Sequence, residues 1–216
     1  MTFSDELWDG AADVYAAVRA HPFLTGLTDG TLPHAAFGHF VTQDSHYLRG
    51  YARALAVLAA KAPTEDDTTL FAQHAAGAIA AEQEMHAELS AALAIDRDAD
   101  PAPTTLAYTS YLLATVHGGS FAEGLGAVLP CYWIYARVGE ALLAESSPDP
   151  LYARWIGMYG GDDFQAVVDA ALGVVDRIAA DLGPAERSRV AGHYRTTSRY
   201  EWMFWDAAWR RETWPV

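Results

Sequence analysis

Nothing in this 216-residue chain reads as a β-strand, and no other feature narrows its fold as far. Apolar residues recur every three or four positions, alanine-rich runs dominate, and no apolar-polar alternation or Asn-Gly hairpin signal interrupts them. Helices with one apolar face must bury it on other helices. The expected fold class is therefore an all-α bundle, a single domain over residues 1–216. Proline and glycine mark the joints. Ser4 to Ala20 puts Leu7, Ala11, Val14, Tyr15 and Val18 on one stripe, which predicts one helix stopped by His21-Pro22. After the turn residues Thr28-Asp29-Gly30-Thr31, Pro33 suits the first turn of a long helix to about Ala62. Thr64 and the acids behind it cap a helix from about Glu65 to Ile95, and Asp96 to Pro103 reads as a charged loop. Further helices are expected at Thr104–His117, from the capping box Ser120-Phe-Ala-Glu123 to near Ser146, at Pro150–Tyr159, at Asp162–Leu182 and from Gly183-Pro184 to about Arg211.

Charge narrows the partners. Fourteen Lys and Arg against 28 Asp and Glu leave a formal charge of −14, which opposes binding to nucleic acid or to an anionic membrane surface. A single cysteine allows no intramolecular disulfide, and the acidic start lacks a signal-peptide pattern. With no run of membrane-spanning length, the expectation is a cytoplasmic protein.

That one cysteine sits in Leu129-Pro130-Cys131-Tyr132-Trp133-Ile134-Tyr135, a helical run with a proline inside it. Pro130 has no N–H for the carbonyl of Gly126, so this turn lacks one hydrogen bond and bends from the axis. Cys131 and Tyr135 share a face, joining a nucleophile to a phenol that can donate a hydrogen bond. A lone cysteine in an apolar helix more often packs as a small hydrophobe, so its neighbours have to decide the matter. Two more helices offer such faces. Phe40, Asp44, Tyr47 and Tyr51 line one, and Tyr194, Glu201, Phe204 and Trp205 line another. Acids joined to aromatic surface suit a flat polar heterocycle, because rings stack on it and carboxylates hold its nitrogens.

The chain resembles the thiaminase II (TenA-type) family. The resemblance is carried, in order, by His21-Pro-Phe23, Asp29-Gly-Thr-Leu-Pro33, Gln43-Asp-Ser-His-Tyr-Leu48, Tyr108-Thr-Ser110, Phe121-Ala-Glu123, Leu129 to Tyr135, Trp155-Ile156 with Tyr159-Gly-Gly-Asp162, and Tyr200-Glu-Trp-Met-Phe-Trp205. It implies an all-α fold similar to haem oxygenase but without haem or another cofactor, assembled as a homotetramer. It further implies hydrolysis of 4-amino-5-aminomethyl-2-methylpyrimidine to the hydroxymethylpyrimidine and ammonia in thiamin salvage, with cleavage of thiamin as a related activity. By matching motif, Cys131 would be the nucleophile, which places the chain in the cysteine-bearing branch. Asp44 would grip the amino group and a ring nitrogen, and Glu201 would be the acid/base. Tyr47, Tyr108, Tyr135, Tyr159 and Phe204 would line the pocket, while His46, where relatives often carry an aromatic, turns away from it. Two rival readings were weighed. A metal-dependent oxidase needs paired inward carboxylates and histidines, for which Glu82 and His86 are a poor match. A regulatory or pyrimidine-binding protein without turnover needs no thiol chemistry, and direct DNA binding fits badly with the acidic charge.

Overall fold

A computed structural model describes residues 1–89, 93 and 99–216, apart from the side chains of residues 82 and 84–88. Among the described residues all regular structure is helical: α1 Phe3–Asp9, α2 Ala12–Arg19, α3 Pro22–Asp29, α4 His34–Lys61, α5 Glu65–Leu89, α6 Pro103–Gly118, α7 Phe121–Leu143, α8 Pro150–Gly160, α9 Asp162–Ala179 and α10 Pro184–Arg210. No helix among them is long and apolar enough to cross a membrane. The expected end of the third helix at Ile95 and the first three residues of the Asp96–Pro103 loop lie outside the described residues, as do the side chains of Glu82 and His86.

Local chemistry explains the boundaries. Ser120 and Glu123 form the anticipated capping box, with the Ser120 hydroxyl accepting from the Glu123 amide and the Glu123 carboxylate accepting from the Ser120 amide. Thr64 accepts from the Asp67 amide at 3.1 Å and so caps α5. The first segment departs from expectation. Instead of one helix from Ser4 to Ala20 there are two, because a capping box at Thr2 and Asp5 starts α1 early and Gly10 ends it. The buried stripe of Leu7, Ala11, Val14 and Val18 nevertheless runs across the break. A third short helix begins at Pro22, where His21 Nδ1 accepts from the Phe23 amide and Pro22 fills the first turn. It ends at Gly30, whose φ of 78° needs a residue without a β-carbon.

Helix α7 is the axis of the molecule. It is buried along most of its length, continues through Pro130, and packs on α4, α6, α8, α9 and α10. Glycines allow the closest of these approaches. A β-carbon at Gly126 would lie 2.9 Å from the Val190 carbonyl oxygen of α10. At Gly139 it would lie 2.5 Å from the Gly160 amide nitrogen and overlap the Tyr159 carbonyl carbon. The neighbours there are backbone and cannot rotate away. Gly139→Ala is therefore expected to push α8 from α7 and to destabilise the fold by about 1–3 kcal/mol, read as an earlier urea midpoint. An unchanged midpoint would show that α8 is not held against α7 as described.

Candidate active site

Between α4, α5, α7, α8 and α9 lies a cavity of about 460 Å³. Asp44, Leu48, Tyr51 and Leu55 come from α4, whose spacing of three and four turns them to one side. Cys131, Tyr132 and Tyr135 face it from α7, Tyr159 closes it from α8, and Phe164 and Val167 wall it from α9. The α5 side, with Gln73, His74, Gly77, Ala78 and Ala81, is built mostly from small residues, which leaves room. A wider hollow of about 590 Å³, near the start of α4 and the C-terminal tail, holds none of the expected site residues.

Of the residues singled out from sequence, Cys131, Asp44, Tyr135 and Tyr159 line the cavity. Tyr47, Tyr108, Glu201 and Phe204 form a layer behind it. Tyr47 stacks under Tyr51 with centroids 5.6 Å apart, and its ring meets Tyr108 at 4.8 Å and Phe204 at 5.6 Å. Tyr108 donates a 2.5 Å hydrogen bond to Glu201 Oε1. The deep end is an aromatic cage, in which Tyr135 meets Tyr159 at 4.9 Å and Trp205 at 5.1 Å. His46 turns out of the cavity and bonds the Ala99 carbonyl through Nε2 at 2.8 Å.

Sequence reasoning gave His74 no role, yet it lines the cavity and its Nδ1 lies 2.9 Å from the Tyr132 hydroxyl. Gln73, Phe164 and Val167 were missed as well. The sequence signal that could have pointed to α5 is its run of small residues from Ala76 to Ala81. Among the described residues, no Lys or Arg lines the cavity.

Electrostatics sets the resting protonation. Burial pushes the Glu201 carboxyl up to about 8 against the opposing hydrogen bond from Tyr108, with the nearby Asp44 charge adding to the rise. Glu201, only 1% exposed, is thus neutral at pH 7 and can donate a proton. Burial also drives the Cys131 thiol well above its ordinary range, reinforced by Glu201 and Asp44, while the hydroxyls of Tyr47 and Tyr51 favour the thiolate. The thiol rests protonated. Tyr47, Tyr51, Tyr108, Tyr135 and Tyr159 are all raised, chiefly by burial, and stay neutral donors. Among the described residues, no three His, Cys, Asp or Glu side chains converge as a metal site requires.

Fold and cavity together define an all-α protein with an aromatic-walled cavity that a thiol and a carboxylate face. The chain belongs to the TENA/THI-4/PQQC family, whose model matches residues 8–211. It is 38% identical to the aminopyrimidine aminohydrolase of Bacillus subtilis (strain 168) over 218 aligned residues, covering 99% of this chain and 92% of that one. It superposes on a TenA homologue from P. horikoshii OT3 with a TM-score of 0.89 at 29% identity, over 97% of this chain and 99% of the other. A domain of haem oxygenase-like fold from Shewanella denitrificans OS217 matches with a TM-score of 0.75 over 98% of this chain and 93% of its own. At 15% identity that likeness concerns the fold alone.

Proposed function

We propose that this chain is an aminopyrimidine aminohydrolase of thiamin salvage, converting 4-amino-5-aminomethyl-2-methylpyrimidine to 4-amino-5-hydroxymethyl-2-methylpyrimidine and ammonia by covalent catalysis at Cys131. The observation that carries the reading is Cys131 and Asp44 facing one aromatic-walled cavity. The name of the Bacillus subtilis relative supports it. An aminopyrimidine presents ring faces to the tyrosines and an amidine-like donor edge to Asp44. The Asp44 carboxylate in the wall favours a ligand that is cationic or rich in donors.

The chemistry follows from what water cannot do alone. An amine on a methylene beside an intact aromatic ring is a poor leaving group. When the Cys131 thiol gives up its proton toward the departing amine and its sulfur adds to a ring carbon, aromaticity is broken, and ring electrons expel the protonated amine as ammonia with its bonding pair on nitrogen; the proton later lost by water restores the thiol. Water then adds to the exposed methylene and gives up a proton; the C–S bond breaks and aromaticity returns. Asp44 keeps the ring nitrogen protonated and electrophilic. Glu201 serves as the acid/base from behind the wall, where Tyr108 hydrogen-bonds it and Tyr47 adjoins the thiol. The same reading takes the chain to work in the cytoplasm as a homotetramer.

The test is to offer the aminomethyl pyrimidine and thiamin in parallel and to follow ammonia, thiazole and hydroxymethylpyrimidine. Equimolar ammonia and hydroxymethylpyrimidine, released faster than thiamin is cleaved, is expected. Binding of the hydroxymethylpyrimidine without turnover of either compound would favour a binding module instead. Asp44→Asn is expected to raise KM about 10-fold or more with a smaller loss in kcat, because its main task is to grip the ring edge. A loss confined to kcat would assign Asp44 to the chemical step.

A further inference from the structure

The turn that carries Cys131 is short of a backbone hydrogen bond, because Pro130 has no N–H to donate. Side chains from two other helices brace it. On one side, Tyr51 of α4 donates to the Val128 carbonyl at 2.9 Å. On the other, Tyr132, next in sequence to Cys131, has its hydroxyl 2.9 Å from Nδ1 of His74 on α5. The rings of His74 and Tyr132 meet at 5.5 Å, and the Tyr132 hydroxyl also interacts with the Tyr51 hydroxyl. Tyr51 and Tyr132 touch edge to face at 5.7 Å, so the braces join into one strut across the cavity wall. The other described residues of α5 that line the cavity are Gln73, Gly77, Ala78 and Ala81.

We propose that His74 is a positioning residue for the thiol: by accepting a hydrogen bond from the Tyr132 hydroxyl at Nδ1 it fixes the turn of α7 that aims the Cys131 sulfur at the substrate ring. This rests on the covalent reading above. The phenol keeps its proton, because burial raises Tyr132, and burial holds the imidazole in its neutral, accepting form. A misplaced nucleophile loses rate rather than substrate affinity, and displacements of about 1 Å are worth up to about 100-fold.

The experiment compares His74→Ala, His74→Asn, His74→Gln and Tyr132→Phe with the unaltered protein. Asparagine can place an amide oxygen where the imidazole has Nδ1; glutamine carries it one methylene too far. His74→Ala and Tyr132→Phe should each lower kcat about 10- to 100-fold with KM within about threefold. The double variant should be no worse than either single one, and His74→Asn should recover most of the loss while His74→Gln does not. Alkylation of Cys131 by iodoacetamide reads the same geometry without turnover, and its rate should change in His74→Ala and return in His74→Asn. Unchanged kcat and alkylation in His74→Ala, or additive losses in the double variant, would overturn the proposal. If the unaltered protein turns over no pyrimidine, the hydrolase reading fails, and the alkylation series alone decides the strut. Should His74→Ala not fold, the Asn and Gln pair carries the same comparison.

Discussion

Glu201→Gln loses about 100- to 10,000-fold in kcat, the range expected when a positioned acid/base group is removed. Glutamine keeps the size of the side chain and an oxygen for the Tyr108 hydroxyl, but it cannot exchange a proton. The pH dependence separates this from a packing effect. With its carboxyl at about 8, wild-type Glu201 is the acid below that pH, and the rate should fall as the pH rises through it. Residual activity of Glu201→Gln should lack that limb. Stability should fall over the same range. The folded carboxyl titrates near 8 against an ordinary 4.5, so between these values the folded state holds the extra proton. Its contribution to stability is full below about 4.5 and is lost as the pH rises through about 8. Glu201→Gln removes that loss, so on raising the pH from 5 to 9 the wild type should lose more unfolding free energy than the variant, measured by urea denaturation. An alkaline limb retained in Glu201→Gln would assign it to another group.

Cys131→Ser should be the more damaging change, with turnover lower by about a thousandfold or more, because a buried hydroxyl cannot supply the nucleophile that a thiol can. Affinity for the hydroxymethylpyrimidine should stay within a few-fold, since Asp44 and the aromatic walls are untouched. The resting thiol is protonated, burial being the main cause, so its proton must leave as substrate binds. Two features favour that step once water is displaced: the hydroxyls of Tyr47 and Tyr51 support the thiolate, and a substrate that is cationic would offset the charge of Asp44. Alkylation of the free protein by iodoacetamide should therefore be slow at pH 7 and rise steeply with pH. Fast alkylation at neutral pH would mean that the thiolate is already present without substrate.

The helices were legible because their signals are local. Ser120 with Glu123, Thr64 with its acids, and Pro150, Pro184 and Gly183 act within one turn of where they stand, and the structure uses each as a cap or a first-turn residue. The division of the first helix was not legible. Gly10 is tolerable inside a helix, and the stripe from Leu7 to Val18 stays apolar across the break. A histidine side chain capping α3 has no strong sequence mark either. Within the cavity, the faces of α4 and α7 could be drawn from spacing, since Asp44 and Tyr51, or Cys131 and Tyr135, differ by whole turns. Depth could not. Whether an acid on α10 lines the cavity or stands behind a tyrosine depends on how far α10 sits from α7, and no periodicity encodes that distance. For the same reason His74 went unnoticed, since its partner Tyr132 lies 58 residues away on a helix whose facing side only the packing determines.

The measurement that bears most directly on the account is the release of ammonia and hydroxymethylpyrimidine from 4-amino-5-aminomethyl-2-methylpyrimidine by the purified protein, with Cys131→Ser run beside it. Equimolar release by the wild type and background release by the variant, with the product still bound by both, is the predicted result. Equal turnover by the two proteins would contradict it, and would leave the cavity as a site whose chemistry does not pass through the thiol.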